Sequence, residues 1–188
     1  DAQPLHEGLV PDPDLPYAVS KLAAETYVRT IGTLWGIETV SLRIFNAYGP
    51  GQQLPASHAP VVPRCIRAAL TGASLVVFGS GGQTRDFVYI DDVVDALVAA
   101  ATAPDVNRQV VNVGSGQETT IMGRVAAIGD VLGKPLEPLQ SRERSGGVQR
   151  MRADVTRARA LLGFEPRTGL REGLRCTIEQ DVRFSAPA

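Results

Sequence analysis

The chain has 188 residues, 44% hydrophobic and 21% charged, with 19 Lys and Arg against 20 Asp and Glu for a net charge of −1. That is the composition of a globular domain, long enough for one ordinary core and barely enough for two. The even charge gives no footing to nucleic acid or an anionic membrane as partner, and no apolar run is long enough for a membrane-spanning helix.

Asp1–Pro16 is acidic and Pro-rich, unlike a secretory signal, and starts without Met, as a processed or partial end does. Its prolines predict an extended lead-in. From Tyr17 to about Leu34, apolar residues recur at three- and four-residue steps, which predicts an amphipathic helix, and Gly36 is its natural stop. Glu38–Phe45 is rich in β-branched residues and reads as a strand. Asn46–Pro60 reads as a loop, with His58 as an ordinary loop histidine. Val62–Leu70 follows as a helix, Leu75–Phe78 as a short strand and Asp86–Ile90 as another.

Asp91–Ala101 is a strongly apolar helix, and the acidic pair Asp91 and Asp92 suits its positive N-terminus as capping residues. Gln109–Val113 predicts a strand, with Asn112 and Ser115 read as turn formers. Thr120–Leu132 predicts a helix closed by Gly133, residues 140–153 a charged loop, and 155–162 and 169–183 the last helices. Strands alternating with helices indicate an α/β class domain. Cys65 and Cys176 make no metal-spacing motif and no disulfide framework, and read as two buried thiols in a reducing cytoplasmic setting.

The sharpest local feature is Tyr17-Ala-Val-Ser-Lys21 at a helix start. Positions i and i+4 share a helix face, so phenol and ammonium point the same way. A neighbouring ammonium favours a phenolate, and such a tyrosine exchanges a proton with a hydroxyl while a hydride moves. The lysine keeps donors for a cofactor ribose. Gly79, Gly81 and Gly82 do not form a phosphate-cradling loop, because neither G-x-G-x-x-G nor G-x-x-x-x-G-K-[ST] spacing is present.

Pro16–Glu25 is followed by Leu42-Arg-Ile-Phe-Asn-Ala-Tyr-Gly-Pro50, then by Val77-Phe-Gly-Ser-Gly-Gly-Gln-Thr-Arg-Asp-Phe-Val-Tyr-Ile-Asp-Asp-Val-Val94. Val111-Asn-Val-Gly-Ser-Gly116, Arg144-Ser-Gly-Gly-Val148 and Leu161-Leu-Gly-Phe-Glu-Pro166 complete the series. In this order and spacing, nearly the whole chain resembles the C-terminal part of the extended short-chain dehydrogenases/reductases that act on nucleotide sugars. Among them it looks most like the UDP-hexose 4-epimerases.

The resemblance implies the C-terminal portion of a Rossmann-type fold plus a small α/β substrate-binding domain. Residues 1–50 would close the dinucleotide-binding domain, and 51–188 would be mainly substrate domain with segments returning to the first sheet. It implies NAD as cofactor and a nucleotide-diphosphate sugar as substrate, oxidised at C4 to a ketone and reduced again on the other face. Tyr17 would be the acid/base, and Lys21 would hold the nicotinamide ribose. Asn46 would meet the phosphate region, beside a wall shaped by Tyr48 and Gly49. Val77 and Phe78 would line the base pocket. Arg85 and Arg144 would grip the diphosphate, as two planar guanidiniums suit paired bonds to phosphate oxygens. Arg85 has a plainer reading, pairing with Asp86 or Asp91, and Arg144 sits in a charged run.

No Gly-rich strand–turn–helix for a dinucleotide lies within these residues, and neither does the family's upstream catalytic Ser or Thr. The helix at 17–34 and the strand after it therefore read as patterned for a larger core, and the resemblance implies a homodimer when the enzyme is complete. Three readings remain open: a 4-epimerase, a dehydratase or decarboxylase sharing the ketone intermediate, and a non-catalytic nucleotide-sugar-binding fragment.

Overall fold

The computed structural model describes residues 4–53, 60–141 and 148–185. Its first helix, α1 (Pro16–Trp35), opens on Pro16, whose fixed φ suits a first helical turn. It ends at Gly36 with φ 66°, a left-handed conformation that glycine adopts without a Cβ clash. Of its residues only Gly32 is buried. A Cβ there would press on Thr39 and the Ile37 carbonyl, so glycine lets the helix meet the returning chain.

That chain is β1 (Val40–Ile44), followed after Phe45 by β2 (Asn46–Tyr48). The span expected as loop from Asn46 thus opens as a strand. Three residues carry no periodic signal, and β2 exists because a parallel partner, β5, lies beside it. The next elements are α2 (Val61–Thr71), β3 (Val76–Phe78), β4 (Thr84–Arg85), β5 (Phe87–Tyr89) and α3 (Ile90–Thr102). Then come β6 (Gln109–Val113), β7 (Thr119–Thr120), α4 (Ile121–Leu132), β8 (Leu139–Ser141), α5 (Thr156–Leu162), α6 (Leu170–Gln180) and α7 (Val182–Ser185).

β1 pairs in parallel with β6, β2 with β5 and β3 with β8, while β4 and β7 pair antiparallel. β8 is a strand where the sequence suggests the start of a loop. The single last helix expected over 169–183 breaks at Asp181, whose carboxylate accepts the Gly51 N–H at 2.9 Å and the Arg183 N–H at 3.0 Å. The lead-in is tied down as well: Leu5 bridges Ala153 in parallel, and the Glu7 carboxylate accepts the Asn112 N–H at 2.8 Å.

Two apolar cores result. One joins β1, β6, α3 and α5 around Val88, Val93, Ala96, Val111 and Val113. The other joins α2, α4, α6 and α7 around Tyr48, Ile66, Phe87, Ile128 and Leu174. α2 shows why: Val62, Cys65, Ile66 and Ala69, at three- and four-residue steps, are its buried stripe. Ile90 touches both cores.

Three polar expectations change. Asp91 and Asp92 do not cap α3: its N-cap, Tyr89, makes no side-chain cap bond. Asp92 is instead buried and accepts the backbone N–H groups of Arg167 and Thr168 at 3.0 and 3.1 Å. Asn112 lies inside β6, where its amide donates to the Leu5 carbonyl at 2.9 Å. Cys65 is buried, whereas Cys176 is partly exposed, and both are free thiols.

Candidate functional site

Tyr17 and Lys21 stand one turn apart at the start of α1. The Lys21 ammonium lies 5.3 Å from the centroid of the Tyr17 ring, so the two side chains share a face. The ring is 72% exposed, open to a ligand rather than packed in the core.

An ion pair sets the register of this face against the strand that follows. Arg43 of β1 grips Glu25 of α1 through Nε–Oε2 and Nη2–Oε1, each 2.8 Å. Residues 36–39 return the chain, so β1 runs back along α1. Tyr17 lies about 12 Å along the helix from Glu25. Asn46 lies about 10 Å along the strand from Arg43, toward the same end. Tyr17, Lys21 and Asn46 therefore all lie on one side of this ion pair, toward the carboxyl end of β1, where open α/β sheets take ligands.

Arg85 is one strand away. The Asn46 N–H donates to the Asp86 carbonyl at 3.0 Å, and Asn46 pairs with Phe87 in the β2–β5 register. The Asn46 side-chain oxygen is buried with no hydrogen-bond partner among the described residues. Arg85 donates from Nη1 to the carbonyls of Thr84 at 2.7 Å and Val148 at 2.8 Å. Partial burial lowers its pKa. Among the described residues Arg85 makes no ion pair. Asp86 does not neutralise it, because among the described residues that buried carboxylate accepts only neutral donors: Ser115 N–H and hydroxyl at 2.7 Å each, Gly116 N–H at 3.0 Å and Ala153 N–H at 2.9 Å. A half-buried guanidinium with no carboxylate partner is suited to an anionic ligand.

Val77 and Phe78 separate, as successive strand residues must. Val77 is buried, and Phe78 is 41% exposed, so Phe78 alone of the pair offers its ring to a ligand. Tyr48 is not a wall of the site either: it is buried in the second core, and its hydroxyl donates to the Leu170 carbonyl at 3.2 Å. Arg144 and His58 lie outside the described residues. The described neighbours of the Arg144 segment are Ser141, paired with Phe78, and Val148, bonded to Arg85.

Sequence reasoning missed Asp86 as the knot behind Arg85, and it missed Arg124. A signal for Arg124 existed: Ile121, Arg124, Val125 and Ile128 share one helical stripe, so the arginine falls on the buried face of α4.

The model of the NAD dependent epimerase/dehydratase family matches residues 1–114. The chain belongs to that family. The UDP-glucose 4-epimerase of Mycolicibacterium smegmatis is 39% identical over 178 residues, covering 95% of this chain and 56% of that protein. UDP-glucuronic acid decarboxylase 1 of Xenopus tropicalis is 37% identical over 162 residues, covering 86% of this chain and 38% of that one. Among solved structures, the Thermotoga maritima UDP-glucose 4-epimerase with UDP-glucose superimposes with a TM-score of 0.88 at 34% identity, covering 95% of this chain and 57% of that one. A UDP-glucuronic acid 4-epimerase variant from Bacillus cereus, solved with NAD and a fluorinated UDP-sugar, gives a TM-score of 0.85 at 30% identity, over 94% of this chain and 55% of that one. The chain thus spans about half the length of the family members it matches, and its mixed α/β architecture is a partial Rossmann-like fold.

Proposed function

We propose that the chain carries the acid/base pair and the diphosphate grip of an NAD-dependent nucleotide-sugar 4-epimerase. The observation behind this reading is the exposed Tyr17 and Lys21 on one helix face together with a half-buried Arg85 that makes no ion pair among the described residues. In this reading the first core, with α1 and β1, is the end of the dinucleotide-binding domain, and the second core is the substrate domain.

Tyr17 and Lys21 fit the nicotinamide-ribose end of NAD, since both are exposed on one helix face. The residues for its pyrophosphate are not among these 188. When bound, the nicotinamide supplies reversible hydride exchange at the sugar. The protein residues do the rest. Tyr17 takes the proton of the C4 hydroxyl as the ketone forms and returns it as the alcohol is rebuilt. Lys21, whose ammonium lies 5.3 Å from the centroid of the Tyr17 ring, holds the nicotinamide ribose beside it. Arg85 and Arg144 hold the diphosphate while the sugar turns. Asn46 presents its amide beside that diphosphate, and Phe78 offers a face to the base.

The decarboxylase relative supports a second reading in which the same ketone loses a carboxylate. Product analysis with UDP-glucose and UDP-glucuronic acid separates the two. The binding half of the proposal is tested on this chain by calorimetric titration with UDP-glucose and with NAD. UDP-glucose binding that Arg85→Ala weakens by roughly tenfold or more, with no NAD binding, is the expected result. Equal affinity of wild type and Arg85→Ala would sink the diphosphate assignment.

A further inference from the structure

We infer that Arg124 is an electrostatic anchor for the ligand diphosphate, acting from inside the second core rather than by contact. The inference rests on the reading that a diphosphate sits at Arg85.

Arg124 is 2% exposed, among the largest fully buried side chains of the molecule. Its surroundings are apolar or weakly polar. Nη2 points at Cys65 Sγ, 3.7 Å away, and the guanidinium carbon lies 5.6 Å from the centroid of the Phe87 ring. Nε and Nη1 have no hydrogen-bond partner among the described residues. Among the described residues no carboxylate pairs with it. A guanidinium holds its proton even under such burial, so a positive charge with only a thiol beside it, and no carboxylate among the described residues, lies in the core. Leaving an ion unpaired in an apolar core is strongly unfavourable, and apolar replacements of buried ions are often neutral or stabilising. Nothing in the packing of α4 calls for it, since Val125 and Ile128 on the same stripe are apolar.

The Cys65 sulfur beside it favours its charged form, but the other charges that act on it have its own sign. Arg85 and Arg64 both repel it, adding to the effect of burial. Phe87, under the Arg124 guanidinium, is two residues from Arg85 on the chain. The three arginines therefore form a graded positive centre: Arg64 exposed, Arg85 half-buried, Arg124 enclosed. Charge behind a binding surface in a low-dielectric interior is poorly screened by water or salt. A diphosphate at Arg85 brings the negative charge that the core lacks. Arg124 would thus favour phosphorylated over neutral ligands without touching either.

The test titrates UDP-glucose, and uridine as the uncharged probe, into wild type, Arg124→Leu, Arg124→Lys, Arg124→Gln and Arg85→Ala, with a melting curve for each. The expected result is that Arg124→Leu melts no lower than wild type and binds UDP-glucose roughly tenfold more weakly, with uridine unchanged. Arg124→Lys should keep most of the affinity, and Arg124→Gln should lose it. A purely structural role predicts a lower melting temperature and equal losses for both ligands, which overturns the inference. Equal UDP-glucose affinity in the Lys and Gln variants overturns it too, whether or not the Leu variant folds. Weak binding by Arg85→Ala beside wild-type binding by the Arg124 variants would remove this inference and leave the Arg85 reading standing. No UDP-glucose binding by wild type would remove both.

Discussion

Glu25 and Arg43 are joined by two parallel charge-assisted hydrogen bonds of 2.8 Å, and this pair pins α1 to β1. The side chains are 20% and 30% exposed, so the pair is more shielded than most surface salt bridges. Glu25 draws the Arg43 pKa upward, which shows which way the charges favour each other. Arg43→Lys keeps the charge but loses the fork. It should cost about 1 kcal/mol in a urea unfolding titration. Arg43→Leu should cost more, because Glu25 is then left part-buried without its cation.

Tyr17 contributes chemistry rather than packing in the proposed mechanism. With its ring 72% exposed, Tyr17→Phe should change stability by no more than about 0.5 kcal/mol. In the proposed enzyme the same substitution should slow interconversion of the nucleotide sugar by about a hundredfold or more. Unchanged turnover would exclude Tyr17 as the acid/base.

Asp181 makes the fold sensitive to acid. Arg183, bonded from Nε at 2.8 Å and from Nη2 at 2.5 Å, holds this buried carboxylate well below its ordinary value, against the opposing effect of burial. Arg150 and Thr84 likewise hold Glu118 down, to about 2. A carboxyl whose pKa is lower in the folded state stabilises the fold above its unfolded pKa, and that stabilisation fades as pH falls through the folded value. The urea midpoint should therefore drop below about pH 4. Asp181→Asn should lower the midpoint at neutral pH and flatten the acid limb. An acid limb as steep as that of wild type would place the sensitivity elsewhere.

α1 leaves a long apolar surface open: Tyr27 is 69% exposed, Leu34 74% and Trp35 73%. In the proposed enzyme this helix is covered by the rest of the dinucleotide-binding domain and by a second subunit. Alone, the chain should self-associate at micromolar concentration. Sedimentation velocity should show a concentration-dependent shift that Leu34→Glu with Trp35→Glu reduces. A monomer at all concentrations would argue against that covering.

The helices were legible in the sequence because their signals are local. The α1 stripe, the stop at Gly36, the Thr120 hydroxyl that accepts the Gly123 N–H at 2.8 Å, and Gly133 all act within a few residues of chain. The motif order from Tyr17-x-x-x-Lys21 through Arg85 was also legible, and the family match agrees with it. β2 and β8 were not, since three residues become a strand only when a partner from far along the chain supplies the other half of the ladder. The polar partners of Asp86 and Asp92 were hidden for the same reason. Their donors come from residues 115–116 and 153, and from 167–168, brought near only by folding. By itself the sequence determined the α/β class, the helices and the identity of the chemical groups. Only the tertiary structure decided that Arg85 is left without a carboxylate, that Val77 turns away from Phe78, and that Arg124 is enclosed. Charge pairing and burial depend on which distant segments meet, whereas helix formation and its stops depend on neighbours in the chain.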